Sequence, residues 1–223
     1  MRATHSKTAL RVKRLAADSA FMTFVCLLMA FLYIPIWVLI IFSFNDSRSL
    51  TWPLSGFTTH WYETLFANEA LLAALGNSVY VAFCSTILTL VVGIPAALAL
   101  HKYSFPGKTI FRRLLLLPIA LPGIVTGISM LNAFRLFGFH LSLETVILGH
   151  ATALLAVVVT QIFARLQRVP KSLSEASSDL GAGAFQTFIY VTLPNIKTAI
   201  IGAGTLSFVL SFDEIPVTFF LTG

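Results

Sequence analysis

Charge is what this sequence has least of. Asp, Glu, Lys and Arg together make up 11% of its 223 residues, against roughly 25% in an average soluble domain. With 57% of the chain hydrophobic, too few charges remain to clothe a water-exposed surface, which excludes an ordinary soluble globular protein. Cysteine is nearly absent as well. Cys26 and Cys84 both sit inside apolar runs with no second ligand at metal spacing, so they read as small buried hydrophobes and a disulfide framework is set aside. No A-x-A cleavage site follows the first apolar run, which is also too long for the core of a signal peptide. It is read as a retained helix.

What the chain does have is apolar length. A membrane-spanning helix needs about 20 such residues. Phe21 to Phe44 and Asn77 to Leu100 each run 24 residues without a charge, and Leu114 to Phe134 runs 21. Thr145 to Phe163 gives 19, interrupted only by His150. A fifth run, Thr198 to Phe212, has 15 uncharged residues before Asp213 and Glu214. It spans only if it starts nearer Asn195 or continues past the acids. Pro35, Pro95, Pro118 and Pro122 are expected to kink their helices, which a membrane tolerates where neighbours or water satisfy the freed carbonyls.

Basic residues are missing from one side of this pattern. Thirteen of the fifteen precede the first run, lie between the second and third, or lie between the fourth and fifth. Only Arg48 and Arg135 fall on the other side, with Asp46, Glu63, Glu69 and Glu144. The positive-inside rule therefore puts the N-terminus, a basic segment over 1–20, and the 164–197 segment in the cytoplasm, with a transmembrane domain over 21–223. This asymmetry accounts for the net charge of +6 without invoking nucleic acid. Five crossings from inside would leave Thr222-Gly223 outside, so either the chain stops there or a sixth helix is missing from its C-terminus.

The 164–197 segment contains a polar pause, Ser174 to Pro194, in an otherwise greasy chain. Ser172 and Glu175 have the S-x-x-E spacing of a capping box, which predicts a helix starting after Pro170. Leu173, Ala176, Ser177 and Leu180 form a narrow small-to-apolar stripe, with Glu175 and Asp179 on another face. Gly181 is placed to end that helix with a left-handed backbone. A second short segment, Ala184 to Leu193, is expected to break at Pro194 before the fifth run. The bland alternative is a solvated loop with ordinary caps.

The order of these residues favours more than a loop. Glu175-Ala176-Ser177, three residues, Gly181, nine residues and Val191-Thr192-Leu193-Pro194 resembles the E-A-A-x3-G-x9-I-x-L-P motif of ABC importer permeases, departing at Ser177 for Ala and at Val191 for Ile. The outer-loop stretch around Ser43 to Ala82 and "SFDEIPVTFFLTG" resemble the spermidine/putrescine permease subgroup, so the likeness runs from about Phe21 to the end.

The resemblance implies an all-α integral membrane subunit with the MetI-like permease fold, multi-pass in a bacterial cytoplasmic membrane, with five spans visible of a six-helix core. It implies as partners a cytoplasmic ABC ATPase dimer, a second homologous permease subunit, a periplasmic solute-binding protein and the surrounding lipid. It implies no enzymatic chemistry and no cofactor on this chain, ATP and Mg being held by the ATPase. Glu175, Ala176, Ser177, Asp179, Gly181, Leu193 and Pro194 would then make the ATPase-coupling elbow. The cargo would be a small solute, a polyamine or a related compound.

Other motifs carry less. "FPGKT", Phe105 to Thr109, ends like a phosphate-binding loop, but the first glycine such a loop needs would fall at Lys102. Asn45-Asp46-Ser47 has glycosylation spacing, which a bacterial family makes irrelevant. Gly123 and Gly127 form G-x-x-x-G, a close-packing face turned either inward or to a partner subunit. His150 and Gln161 are polar positions in the fourth run, and the histidine is read as a hydrogen-bonded packing residue. Asp213 and Glu214 either line a cavity and attract a cation along the substrate pathway or solvate a helix end at the outer interface. A proton-coupled secondary transporter using Asp213, Glu214 and His150 is the alternative from a different class, and the coupling elbow argues against it. An intramembrane hydrolase lacks any Gly-x-Ser or paired-aspartate constellation.

Overall fold

The computed structural model describes the backbone of residues 2–222 and the side chains of residues 18–222. Helix accounts for nearly everything described, and the one β feature is an isolated bridge between Asn45 and Phe57. The chain divides into two compact units, Met1–Leu72 and Ala73–Gly223.

In the first unit, α1 (Arg2–Phe42) carries the first apolar run, passes through Pro35, and merges with the basic N-terminal segment in one helix. Among its described side chains, Phe24, Leu27, Phe31 and Trp37 are exposed, as suits a helix whose solvent is lipid. The polar stretch that follows folds around Asn45, which is buried. Its Nδ2 donates to the Ser49 carbonyl at 3.1 Å, its Oδ1 accepts from Ser55 N at 3.0 Å, and its own carbonyl accepts from Trp61 Nε1 at 2.7 Å. The first two bonds close the loop on itself, and the third fastens it onto α2 (His60–Ala67). The would-be glycosylation asparagine is thus the loop's structural centre.

The second unit is built on α6 (Leu143–Leu166), flanked by α3 (Glu69–Lys102, which begins in the first unit), α4 (Lys108–Ala120), α5 (Gly123–Leu136), α9 (Leu193–Asp213) and α10 (Ile215–Leu221). Two apolar clusters hold it. Ala97, Val158, Ile162, Ile196 and Ala203 pack towards the end that carries the basic loops, and Val81, Val146, Val217 and Leu221 pack towards the other.

The third apolar run is not one straight span. It is split at Leu121-Pro122 into α4 and α5, bent by 114°. Pro122 has no N–H to donate and disfavours helical geometry at Leu121, whose backbone is extended at φ −95°, ψ 139°. Hydropathy measures how greasy a segment is and not which way it points, so the kink was foreseeable and the size of the turn was not. Among the described residues, four helices are long and apolar enough to cross a membrane, or five if this bent pair counts as one span.

The fifth run gains its length upstream. Helix continues from Ala184 to Asp213, 30 residues, so Pro194 does not break it as expected. α8 (Ala184–Thr187) passes into a π-turn, Phe188–Thr192, that leads directly into α9. The wider turn pairs Leu193 N–H with the Phe188 carbonyl and absorbs the donor that Pro194 lacks. Asn195 Nδ2 then donates to the Val191 carbonyl at 2.8 Å, and Arg165 Nε from α6 donates to the Asn195 carbonyl at 3.0 Å.

Candidate functional site

Two places in the second unit hold the candidate residues, and they lie far apart along α9. The first is the elbow at its start. α7 (Lys171–Asp179) begins straight after Pro170, which occupies the N-cap position, and no side chain caps it. The Ser172/Glu175 capping box is therefore not formed, and the Glu175 side chain stays exposed beside Ala176 and Asp179. The helix ends as expected. Gly181 has φ +81° and donates to the Ser178 carbonyl at 2.9 Å, while Ala182 donates to the Ser177 carbonyl at 3.1 Å. That pair of bonds is a Schellman closure. Space is not what demands glycine here, because a Cβ would meet nothing within 4 Å; the left-handed backbone is.

Beyond this turn the chain doubles back. Ser177 Oγ and Thr187 Oγ1 are 3.0 Å apart, and the Gly183 N–H donates to Gln186 Oε1 at 2.9 Å. No residue of α7 or α8 is buried, and Leu180, Phe185 and Tyr190 are 89%, 76% and 78% exposed. Between the elbow and the end of α3 lies a cavity of about 560 Å³ lined by Lys102, Lys171, Glu175, Phe185, Phe188 and Val191. Leu193 and Pro194 close the elbow as the first residues of α9.

The second place is where α9 stops. Asp213 is its last residue, and Glu214 sits between α9 and α10 with φ −82° and ψ 56°, outside the helical region. Pro216, in the first turn of α10, has no N–H to continue the α9 ladder. This break faces the other one. A Cβ on Gly123, the first residue of α5, would lie 3.3 Å from Pro216 Cγ and 3.4 Å from Glu214 Oε1. On Gly127 it would lie 2.8 Å from Phe220 and 3.0 Å from the Pro216 carbonyl, so the G-x-x-x-G face packs inside the chain against α10. Asp213 and Glu214 both line a cavity of about 260 Å³ together with Pro118, Leu121, Gly123 and Thr126. The carboxylates therefore stand at a cavity between two broken helices. Asp213 is exposed to that space, while Glu214 is half-buried beside the positive end of α5.

Sequence reasoning took His150 as a packing residue but did not find its partners. The ring bonds Ser211 and Thr218 and touches neither carboxylate, so the Asp213–Glu214–His150 proton relay of the secondary-transporter reading has no side-chain continuity. Ser211 and Thr218 belong to two helices, α9 and α10, so no spacing along one helical face pointed to them.

Known proteins share this architecture. The family described as "Binding-protein-dependent transport system inner membrane component" matches residues 89–223. The chain is 37% identical over 201 residues to the spermidine/putrescine transport system permease protein PotC of Escherichia coli (strain K12), covering 90% of this chain and 75% of that one. It is 34% identical to the putrescine transport system permease protein PotI of the same strain, over 86% of this chain and 71% of that one. It is 30% identical to the sulfate transport system permease protein CysT of Salmonella typhimurium, over 78% and 68% respectively. The crystal structure of a bacterial ABC transporter involved in the import of the acidic polysaccharide alginate has the same fold, with a TM-score of 0.67 at 16% identity over 88% of this chain and 75% of that one.

Proposed function

Because the chain belongs to the family of binding-protein-dependent transport system inner membrane components, we propose that it is one permease subunit of an ATP-driven importer for a small organic cation of the polyamine class. It carries out no chemistry of its own. It provides half of a path, pairs with a second permease, receives cargo from a binding protein outside, and takes its motion from an ATPase dimer inside. The N-terminus and the 164–197 segment are cytoplasmic, and the transmembrane domain is residues 21–223.

The observation that carries this reading is the elbow. A nine-residue helix with no buried side chain and a fixed left-handed stop, followed by exposed Leu180 and Phe185 and by a segment that runs from Ala184 without a break into α9, leaves apolar surface that is costly to keep unpartnered in water. It becomes intelligible as a plug that fits a groove of another protein. Glu175 offers a carboxylate to a cationic residue of that groove, and Leu180 and Phe185 offer apolar contact. Because helix runs from Ala184 to Asp213, a push on the elbow reaches the acidic break at the far end of α9. Nucleotide then biases the population of two permease conformations through this contact.

The relatives' names include polyamines and sulfate, so family membership leaves the sign of the cargo's charge open. The acid pair supports a cation. No basic residue lies between Thr198 and Gly223 to neutralise it, and an unpaired charge at the centre of a membrane helix costs about 2.5–3.5 kcal/mol on insertion scales.

The test is co-purification with the ATPase followed by coupled assays. Glu175→Lys and Gly181→Leu should insert normally but lose ATPase capture, or hydrolyse ATP without import, with uptake reduced at least about tenfold. Unaltered uptake and normal ATPase stimulation in both variants would sink the coupling assignment.

A further inference from the structure

His150 in α6 is 2% exposed, and both of its ring nitrogens are engaged. Nδ1 lies 2.8 Å from Ser211 Oγ and Nε2 lies 2.8 Å from Thr218 Oγ1. Thr218 Oγ1 also lies 2.9 Å from the Glu214 carbonyl, to which it can donate, and Ser211 Oγ lies 3.3 Å from Ser85 Oγ on α3. A neutral imidazole carries one N–H, so it donates on one side and accepts on the other, and either tautomer bonds both hydroxyls. A continuous chain results, from Ser211 through the ring to Thr218 and the Glu214 carbonyl.

The ends of this chain fall on opposite sides of the acidic break. Ser211 is on α9, two residues before Asp213, whereas Thr218 is on α10 and its bond ends on the Glu214 backbone. α10 has other fastenings to α6. Thr145 Oγ1 donates to the Leu221 carbonyl at 3.0 Å, and Gly149 lies tight against Leu221 and Val217. Those hold α10 in place, but neither reaches α9. The imidazole joins the two helices across the point where the backbone itself gives no regular hydrogen bond.

We infer that His150 is a positioning residue for the acid pair: by clamping Ser211 and Thr218 it sets the angle of the α9–α10 break and hence where the Asp213 and Glu214 carboxylates stand in the cavity. The inference rests on the cation-pathway reading above and names the device that orients that site. His150 touches no cargo. Loss of the clamp should leave a folded bundle whose carboxylates are misplaced, so that ATP is hydrolysed with less cargo delivered.

The decisive pair is Thr218→Val and Thr218→Ser, measured as putrescine delivered per ATP hydrolysed by the assembled transporter with saturating loaded binding protein. Valine keeps the shape but removes the hydroxyl that bonds both Nε2 and the Glu214 carbonyl. It should lower the ratio about fivefold, the size expected from one unsatisfied buried polar atom. Serine keeps the hydroxyl and should restore the ratio to within about twofold of the unaltered protein. His150→Phe should match Thr218→Val, and should add no further loss on top of the Asp213→Asn, Glu214→Gln double variant. Should His150→Phe fail to assemble, the Thr218 pair decides alone. A merely structural role would lower the amount of assembled complex while leaving delivery per ATP unchanged, and that result overturns the inference. The acid double variant separates the two ideas. If its uptake is unchanged, the cation reading falls and takes this inference with it. If its uptake drops while Thr218→Val behaves as unaltered protein, the inference alone falls.

Discussion

The elbow and the acidic break lie at opposite ends of the helix that carries α9, and they are built in opposite ways. At the elbow the stabilising bonds are mostly local, with the bond from Arg165 Nε to the Asn195 carbonyl as the exception. Gly181 closes on Ser177 and Ser178, Ser177 meets Thr187, and Asn195 reaches back four residues to Val191. Its outer faces touch nothing within the chain. At the break the contacts are long-range. α5, α6, α9 and α10 meet around Glu214, and the bonds span 61 residues from His150 to Ser211 and 68 from His150 to Thr218. The contrast fits the roles proposed for them. A docking surface can keep its shape from short-range bonds and leave its faces free. A site proposed to respond to docking is assembled from many helices, so that moving any one of them alters it.

The sharpest way to break this contrast is at the packed end. Gly149 has no room for a side chain, because a Cβ would collide with Leu221 and come within 2.9 Å of Val217 Cγ1. Gly149→Val should force α10 off α6, with an overpacking cost of about 1–3 kcal/mol. The thermal midpoint of the purified protein should fall, and uptake should be abolished, while the exposed elbow still captures the ATPase. Normal uptake in that variant would mean that the break does not depend on the α6–α10 contact, and the contrast between the two regions would lose its basis.

How far each region was legible in the sequence follows from the same difference. The elbow could be read because its determinants are near neighbours: a glycine where the backbone turns left-handed, and a motif spaced over twenty residues. Even so, Pro170 displaced the expected Ser172/Glu175 capping box, and a π-turn carried the helix through Pro194. In both cases a backbone arrangement won over a side-chain signal. At the break, Asp213 and Glu214 stood out as charges in a greasy stretch, but no pattern showed that they face α5. That depends on the 114° turn at Pro122, a direction that composition does not encode. The His150 clamp was invisible for a simpler reason: a histidine's partners sixty residues away leave no local trace.

A smaller effect sharpens the account of the break itself. The two acids differ in surroundings, since Asp213 opens to the cavity while Glu214 lies against the N-terminus of α5, whose dipole already compensates part of its charge. In the proposed cation pathway Asp213 is therefore the carboxylate left wanting a cation. Asp213→Asn should reduce putrescine uptake by up to about tenfold, equivalent to ~1.4 kcal/mol, and Glu214→Gln by no more than about twofold. Comparison of the single variants at saturating loaded binding protein decides the ranking. A larger loss for Glu214→Gln would reverse the roles and make the α5 end part of the cargo's path.

The smallest effect is expected at Ser177, and its smallness is what it tests. This is where the chain departs from the E-A-A motif, a hydroxyl standing in place of a methyl, and that hydroxyl lies 3.0 Å from Thr187 Oγ1 on the inner side of the elbow. A hydrogen bond of this kind contributes about 0.5–1.5 kcal/mol net, towards the lower end where water can replace the lost partner. Ser177 is only partly buried and Thr187 likewise, so water can do so here. The Schellman closure at Gly181 and the π-turn hold the elbow's path without that bond. Ser177→Ala should therefore leave uptake and ATPase stimulation within about twofold, with a slight loss of protection at Thr187 in amide exchange. Thr187→Val should behave the same way, because it removes the same bond from the other side. A severe loss of coupling in both variants would show that the elbow's shape hangs on one side-chain contact and not on its backbone, and the idea of a docking surface made rigid by local backbone closure would have to be abandoned.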